Sequence, residues 1–191
     1  MSLKLALERL LGSTCHHMIE VRSHPAEVPV WHAAMRGEPV DFAALLAGYE
    51  AIVDYPGAAV WHELADAFPD APVLLSTRSS SQQWWESASS TILVRRDPTD
   101  DGARDFWAMA ADMFEKSLGT IDVSDEHAVR AAYDDHNAAV RAAIAPERLF
   151  EYQPGDGWAP LCAALDLPEP DEPFPHTNTR DEFRARHGLD T

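Results

Sequence analysis

The chain has 191 residues, of which 46% are hydrophobic and 25% are charged, a composition that suits one globular domain with its own core. Its 15 Lys and Arg against 32 Asp and Glu give a formal net charge of −17, which excludes a broad surface for nucleic acid or for an anionic membrane. The sequence has no run of about 18 apolar residues, so we expect no membrane span. An anionic small ligand would need a local cationic pocket.

The first residues and the two cysteines indicate in which cellular compartment the protein is expected. Residues 1–8 have the pattern of an amphipathic helix and not that of a secretory signal. Without an export signal, Cys15 and Cys162 are predicted to be free thiols in a reducing environment. We therefore expect a cytoplasmic protein, and the sequence leaves both a monomer and a homo-oligomer open.

In chain order, helical periodicity alternates with short apolar runs. Helices are predicted over residues 2–11, 42–49, 58–68, 80–92, 101–117, 125–144, 158–165 and 180–187, with a short helix among the loops of residues 24–40. Extended segments are predicted over residues 15–21, 51–53, 73–77 and 148–152. This alternation favours an α/β fold, with a parallel sheet between two helical layers. One domain is expected over residues 1–191, with residues 167–191 as an extended tail packed on it.

Arg78 lies at the carboxyl end of the clearest predicted strand, directly before a helix. Ligands of open α/β sheets bind beyond the carboxyl ends of the strands, and a helix N-terminus attracts anions. Residues 79–81 are serines that offer hydroxyl and main-chain N–H groups, and Ser87 lies further along the same helix. The pattern fits an anion site, and the alternative is a surface arginine beside a polar helix start.

Asp54 has a similar place after the apolar run 51–53. A carboxylate at a strand end in a crevice is a candidate general base. The alternative is a turn residue or a cap for the helix after Pro56.

The histidines give weaker signals. His16 and His17 are adjacent, so they cannot both line one face of a strand. His62-Glu63 lacks the second histidine of a zinc-protease motif, and no Cys or His pair has the spacing of a structural zinc site, so no metal is expected. His136 lies on an apolar helical stripe, where a core role is the commoner one.

Several short motifs occur together along nearly the whole chain. They are SLKLALE (residues 2–8), CHHMIEV (15–21), VDYP (53–56), VLLSTR (73–78), WWES (84–87), HN (136–137), PERL (146–149), GDGWAPLC (155–162) and PFPHTN (173–178). In this order they resemble the bacterial and fungal sulfotransferase-like proteins of the P-loop nucleotide-binding superfamily.

This resemblance implies transfer of a sulfuryl group from 3′-phosphoadenosine-5′-phosphosulfate to a small hydroxyl acceptor, without a metal. Arg78 and Ser87 match the family positions that hold the 3′-phosphate of the donor. Asp54 is the nearest match to the acid–base residue, although many sulfotransferases use histidine there. His16 or His17 is then expected to line the acceptor pocket.

The sequence departs from the family pattern in two places. The family has a strand and a glycine-rich phosphate loop directly before the helix that matches residues 2–8, and residues 1–191 contain neither. Ser79-Ser80 replaces the usual acidic residue and proline after the arginine, and the run to Trp84 is one residue longer. Loss of one oxyanion donor commonly costs about 100-fold to 1000-fold in turnover. We therefore expect the missing loop to impair catalysis by this chain.

Two functions of different classes remain after these observations. One is a sulfotransferase of this family, and the other is a non-catalytic relative that binds an adenine nucleotide or a partner protein. A hydrolase of the Ser-His-Asp type is disfavoured because the sequence has no G-x-S-x-G motif.

Overall fold

The computed structural model describes residues 1–94, 101–119, 122–177 and 180–186. Its helices are α1 (Ser2–Leu11), α2 (Met18–Ser23), α3 (Val28–Met35), α4 (Phe42–Leu45), α5 (Trp61–Ala67), α6 (Ser81–Ala88), α7 (Asp101–Leu118), α8 (Glu126–Ala143), α9 (Ala159–Leu165) and α10 (Arg180–Arg186). Short 3-10 turns precede α3 at Pro25–Glu27 and α5 at Gly57–Val60. The strands are β1 (Thr14–His16), β2 (Tyr49–Ile52), β3 (Val73–Ser76) and β4 (Leu149–Tyr152).

All strand pairing in the described residues is parallel, and the α/β prediction is confirmed. β1 pairs with β2, with His16 opposite Ile52. β3 pairs with β4 in an unbroken register from Val73 opposite Leu149 to Ser76 opposite Tyr152. The strands thus form two separate pairs, and no described strand lies between β2 and β3.

Local chemistry explains where several helices begin and end. α1 ends at Gly12, whose left-handed backbone (φ 63°) lets its N–H bond to the Glu8 carbonyl at 3.0 Å. Side-chain oxygens of Asp41, Ser80 and Asp125 accept main-chain hydrogen bonds at the starts of α4, α6 and α8. These caps agree with the predicted starts of the three helices.

Two of the differences between predicted and observed elements have a clear local cause. The extended segment predicted over residues 15–21 is a strand only to His16, because His17 caps a helix that begins at Met18. The helix predicted over residues 42–49 ends at Leu45, because the chain reverses at Gly48 (φ 92°) and enters β2 at Tyr49.

The largest core cluster packs α3 and α7 against the first pair of strands. Its most deeply buried side chains are Val21, Trp31, Val60, Met109 and Met113, each at most 2% exposed. Burial of this much apolar surface is the main force that holds the helices on the sheet.

The tail contacts the end of the second pair of strands. Phe174 packs against Trp158, with ring centroids 4.9 Å apart, and the Trp158 indole N–H donates to the Glu172 carbonyl at 2.8 Å. The Ser2 hydroxyl donates to the Thr177 carbonyl at 3.1 Å, which ties the tail to α1. Residues 178–179 and 187–191 of the predicted tail lie outside the described residues.

Candidate functional site

A large cavity of about 1670 Å³ lies between the two pairs of strands. Its walls include β2, β3 and parts of α1, α6 and α8. His17, Asp54, Arg78 and Ser87 all line it. The structure therefore brings four of the five predicted site residues to one space beside strand ends, which is where α/β folds bind ligands.

Asp54 follows β2 and has a left-handed backbone, with φ of 65°. Its carbonyl accepts the Ala58 N–H at 3.0 Å, which turns the chain toward α5. Its side chain is 41% exposed, and Oδ2 lies 3.2 Å from His17 Nε2. In the described part of the chain no main-chain N–H donates to this carboxylate, so nothing there assigns it a capping role.

His17 has two different partners for its two ring nitrogens. Nδ1 accepts the main-chain N–H of Ile19 at 3.1 Å and so caps α2, while Nε2 faces the Asp54 carboxylate. The side chain is 12% exposed. Burial lowers the pKa of His17, and the neighbouring Asp54 charge opposes that shift.

His16 does not line the cavity. Its side chain is completely buried, and Nε2 lies 2.9 Å from the Glu27 carboxylate. The ring packs beside Trp31 and Tyr49, at centroid distances of 5.1 and 5.0 Å. The structure thus separates the two adjacent histidines, one into the core and the other to the cavity.

Arg78 is exposed at the end of β3, and its main-chain N–H donates to the Tyr133 hydroxyl at 2.8 Å. The Tyr133 ring is stacked on Trp84, with centroids 4.7 Å apart and an interplanar angle of 18°. This stack joins α8 and α6 to the turn that carries Arg78. The Arg78 guanidinium makes no hydrogen bond or ion pair with the described residues and is available to an anion.

The serines after Arg78 bind within their own turn. Ser80 Oγ accepts the Gln83 N–H at 3.1 Å, as the predicted capping box requires. Gln83 Oε1 in turn accepts the Ser79 N–H at 3.3 Å and the Ser79 hydroxyl at 3.0 Å. The sequence suggested that the N–H and hydroxyl of Ser79 could bind an anion. In the structure both groups donate to Gln83 Oε1 instead.

Ser87 is half-buried on α6 and lines the cavity. Its carbonyl accepts hydrogen bonds from the hydroxyls of Ser90, at 3.1 Å, and Thr91, at 2.6 Å. These bonds hold the last turn of α6 in place without using the Ser87 hydroxyl, which leaves that hydroxyl for a ligand.

One face of α8 adds residues that the sequence interpretation assigned to the core or left without a role. Tyr133, His136 and Asn137 all line the cavity. Asn137 is buried, and burial together with His62 lowers the pKa of His136. In the sequence, these residues belong to a helical stripe that mixes polar with apolar residues. Such a stripe also fits a helix that lies beside a ligand site.

Among the described residues, no group of three or more His, Cys, Asp and Glu side chains could hold a metal ion. None of the described helices has the length and apolar character needed to cross a membrane.

Comparison with known proteins identifies the class. A family model described as a sulfotransferase domain matches residues 1–183, so the chain belongs to that family. Membership supports a sulfotransferase-like, group-transferring role. Among individual proteins, the chain is similar to the Ava biosynthesis cluster protein M of Aspergillus versicolor. The two are 29% identical over 194 residues, which cover 91% of this chain and 75% of that protein.

Proposed function

We propose that this protein is a sulfotransferase that moves a sulfuryl group from 3′-phosphoadenosine-5′-phosphosulfate to a hydroxyl of a small molecule. The observation that carries the proposal is the convergence of Asp54, Arg78 and Ser87 on one cavity in a chain of the sulfotransferase-domain family. These are an acid–base group and an anion-binding pair, which are the two functions that the reaction needs from side chains.

Arg78 and Ser87 are proposed to bind the 3′-phosphate of the donor. Their free guanidinium and hydroxyl groups can donate charge-assisted hydrogen bonds to phosphate oxygens. The bond from the Arg78 N–H to Tyr133 fixes the backbone from which the guanidinium extends. A guanidinium with a nearby hydroxyl suits an anion such as phosphate better than an uncharged group.

Asp54 is proposed to accept the proton of the acceptor hydroxyl. The acceptor oxygen forms a bond to sulfur while the bond from sulfur to the bridging phosphate oxygen breaks. The acceptor O–H proton passes to the Asp54 carboxylate, and adenosine 3′,5′-bisphosphate leaves with the bridging oxygen. Apolar side chains of α1, β2 and β3 in the cavity wall suit a hydrophobic alcohol or phenol.

The donor's phosphosulfate end needs further hydrogen-bond donors. The resemblance assigns them to a glycine-rich loop ahead of α1, and no such motif occurs in residues 1–191. We therefore expect residues 1–191 by themselves to bind the nucleotide better than they catalyse transfer.

Isothermal titration calorimetry with adenosine 3′,5′-bisphosphate tests the donor site. Loss of a charge-assisted contact should weaken binding of the Arg78→Ala variant by about 10-fold to 100-fold. Arg36→Ala is the matched control, because Arg36 pairs at 2.8 Å with exposed Glu38 and does not line the cavity.

If the parent and Arg78→Ala bind adenosine 3′,5′-bisphosphate equally well, Arg78 does not bind its 3′-phosphate. If the parent does not bind the nucleotide at all, residues 1–191 do not contain a working donor site. The non-catalytic, partner-binding alternative would then replace the proposed function.

A further inference from the structure

One buried polar side chain in the cavity wall has no partner. Asn137 is 6% exposed and lies on the buried face of α8, where it lines the cavity. Within the described residues its carboxamide makes no hydrogen bond. A buried amide without a partner opposes folding, because it gives up its hydrogen bonds to water and gains none in return. Such a group is expected where a ligand completes its hydrogen bonds.

The packing of α8 places Asn137 behind the turn that carries Arg78. Tyr133, four residues earlier on the same helix face, accepts the Arg78 main-chain N–H at 2.8 Å. Val140, three residues later, belongs to the same core cluster as Leu75 of β3. Because residues three and four apart share one face of a helix, Asn137 lies between these two contacts, beside the carboxyl end of β3. The amide therefore lies in the part of the cavity in which Arg78 is proposed to hold the donor.

The chemistry of an amide restricts the groups with which it pairs. The Asn137 carboxamide accepts hydrogen bonds at Oδ1 and donates them at Nδ2. The oxygens of a phosphate or sulfuryl group only accept, so they would leave Oδ1 unpaired. Adenine instead presents an amino donor beside a ring-nitrogen acceptor, and an asparagine can bind both at once. The indoles of Trp61 and Trp84 line the same cavity and provide apolar surroundings for a flat base.

We propose that Asn137 is a specificity-determining residue that binds the adenine base of the donor through both polar atoms of its carboxamide. The inference rests on the proposed function, because it takes 3′-phosphoadenosine-5′-phosphosulfate as the donor. It assigns recognition of the base to α8, while Arg78 and Ser87 bind the 3′-phosphate. The two contacts recognise different groups, since Arg78 requires the phosphate and Asn137 requires the 6-amino group of the purine.

Calorimetry on the intact chain with two ligands tests this contact. The ligands are adenosine 3′,5′-bisphosphate and purine riboside 3′,5′-bisphosphate, in which hydrogen replaces the 6-amino group. We expect the parent to bind the adenosine compound about 10-fold more tightly, because the other ligand lacks one hydrogen bond to Asn137. This comparison uses the unaltered protein, so it does not depend on how a variant folds. Equal affinity of the parent for the two ligands would overturn the proposal.

Asn137→Leu removes the amide with little change in side-chain volume. We expect its affinity for adenosine 3′,5′-bisphosphate to fall by about 10-fold or more, and we expect the preference for the adenosine compound to disappear. Its midpoint of thermal unfolding without ligand should not fall, because an apolar group replaces an unpartnered polar one. Gln82→Leu is the matched control and should keep the preference, since Gln82 Nε2 donates to Glu86 at 3.2 Å and Gln82 does not line the cavity.

A lower unfolding midpoint in Asn137→Leu with an unchanged preference would show that the amide is structural and would overturn the proposal. An amide that binds the acceptor would leave both nucleotide affinities unchanged in Asn137→Leu, which also overturns it. Arg78→Ala separates this inference from the proposed function. Weaker binding in Arg78→Ala without any preference in the parent overturns the role of Asn137 alone, whereas a parent that binds neither ligand overturns the proposed donor site together with it.

Discussion

At the scale of single residues, the turn after β2 decides what Asp54 can do. A positive φ of 65° is uncommon for a residue other than glycine, although aspartate tolerates it better than most. This backbone and the contact with His17 leave the carboxylate partly exposed in the cavity instead of bonding to a helix start. The backbone conformation and the partial exposure together make this carboxylate available to a ligand.

Replacement of the carboxylate by an amide tests its role as the base. In a form of the protein that carries the glycine-rich loop ahead of α1, Asp54→Asn should lower turnover by roughly 100-fold or more, because the amide cannot accept the proton. The affinity for adenosine 3′,5′-bisphosphate should stay nearly unchanged. Steady-state kinetics and calorimetry on the same preparations measure the two quantities.

Asp66→Asn is a matched control, since Asp66 is exposed on α5 and does not line the cavity. It should retain the parent's rate. A parental rate in Asp54→Asn, or a loss of donor affinity in place of rate, would move the base to another residue.

At the scale of elements, the stack of Tyr133 on Trp84 makes α8 a support for the turn between β3 and α6. Tyr133 is 8% exposed, and its hydroxyl accepts the Arg78 N–H at 2.8 Å. A main-chain N–H at a strand end needs such an acceptor when water has little access. The helix therefore fixes the origin of the Arg78 side chain without touching its guanidinium.

Tyr133→Phe retains the stacked ring but removes the acceptor. We expect a loss of about 1 kcal/mol in the free energy of unfolding and a several-fold weaker affinity for adenosine 3′,5′-bisphosphate. Denaturant unfolding and calorimetry measure these effects.

Tyr152→Phe is the matched control for the effect of Tyr133→Phe on stability, whereas Tyr152 itself lines the cavity and gives no control for affinity. The buried Tyr152 hydroxyl has no hydrogen-bond partner among the described residues, so its removal should not destabilise the protein. Equal effects of the two substitutions on stability would show that the Arg78–Tyr133 bond has no special importance.

Features set by residues that are neighbours in the chain were visible in the sequence. The periodicity of the leucines and Gly12 predicted α1 with its observed bounds, because both signals are local. The strand-end positions of Asp54 and Arg78 were likewise visible, since an apolar run and the residue that ends it are neighbours in sequence. By contrast, the capping role of His17 was missed because an imidazole is not among the side chains usual at an N-cap.

Contacts between distant segments could not be predicted in the same way. The pairing of His17 with Asp54 depends on the β1–β2 register, and the placement of Tyr133 depends on the rotation of α8 against α6. The sequence shows an amphipathic stripe on α8 but not which part of that stripe meets a cavity. These contacts are settled by packing, and packing is a property of the assembled elements.

At the scale of the whole molecule, the net charge of −17 opposes the compact state. The exposed ion pairs, such as Arg141–Glu151, do little to offset it, because water screens them and each contributes little. An acidic molecule that binds an anionic donor must also rely on a local cation, and Arg78 is the arginine that the cavity presents with its guanidinium unpaired among the described residues.

Screening of the negative charges should therefore stabilise the protein. We expect the midpoint of thermal unfolding to rise as NaCl increases from about 20 mM to about 500 mM, because the Debye length falls from about 20 Å to less than 5 Å over that range. Asp66→Asn removes one negative charge from the last turn of α5, where the helix dipole disfavours it, and should stabilise the fold by about 0.3–1 kcal/mol at low salt. That advantage should shrink at high salt, and differential scanning calorimetry at both salt concentrations measures it. A midpoint that falls with NaCl would instead show that attractive ion pairs outweigh the repulsion among the excess carboxylates.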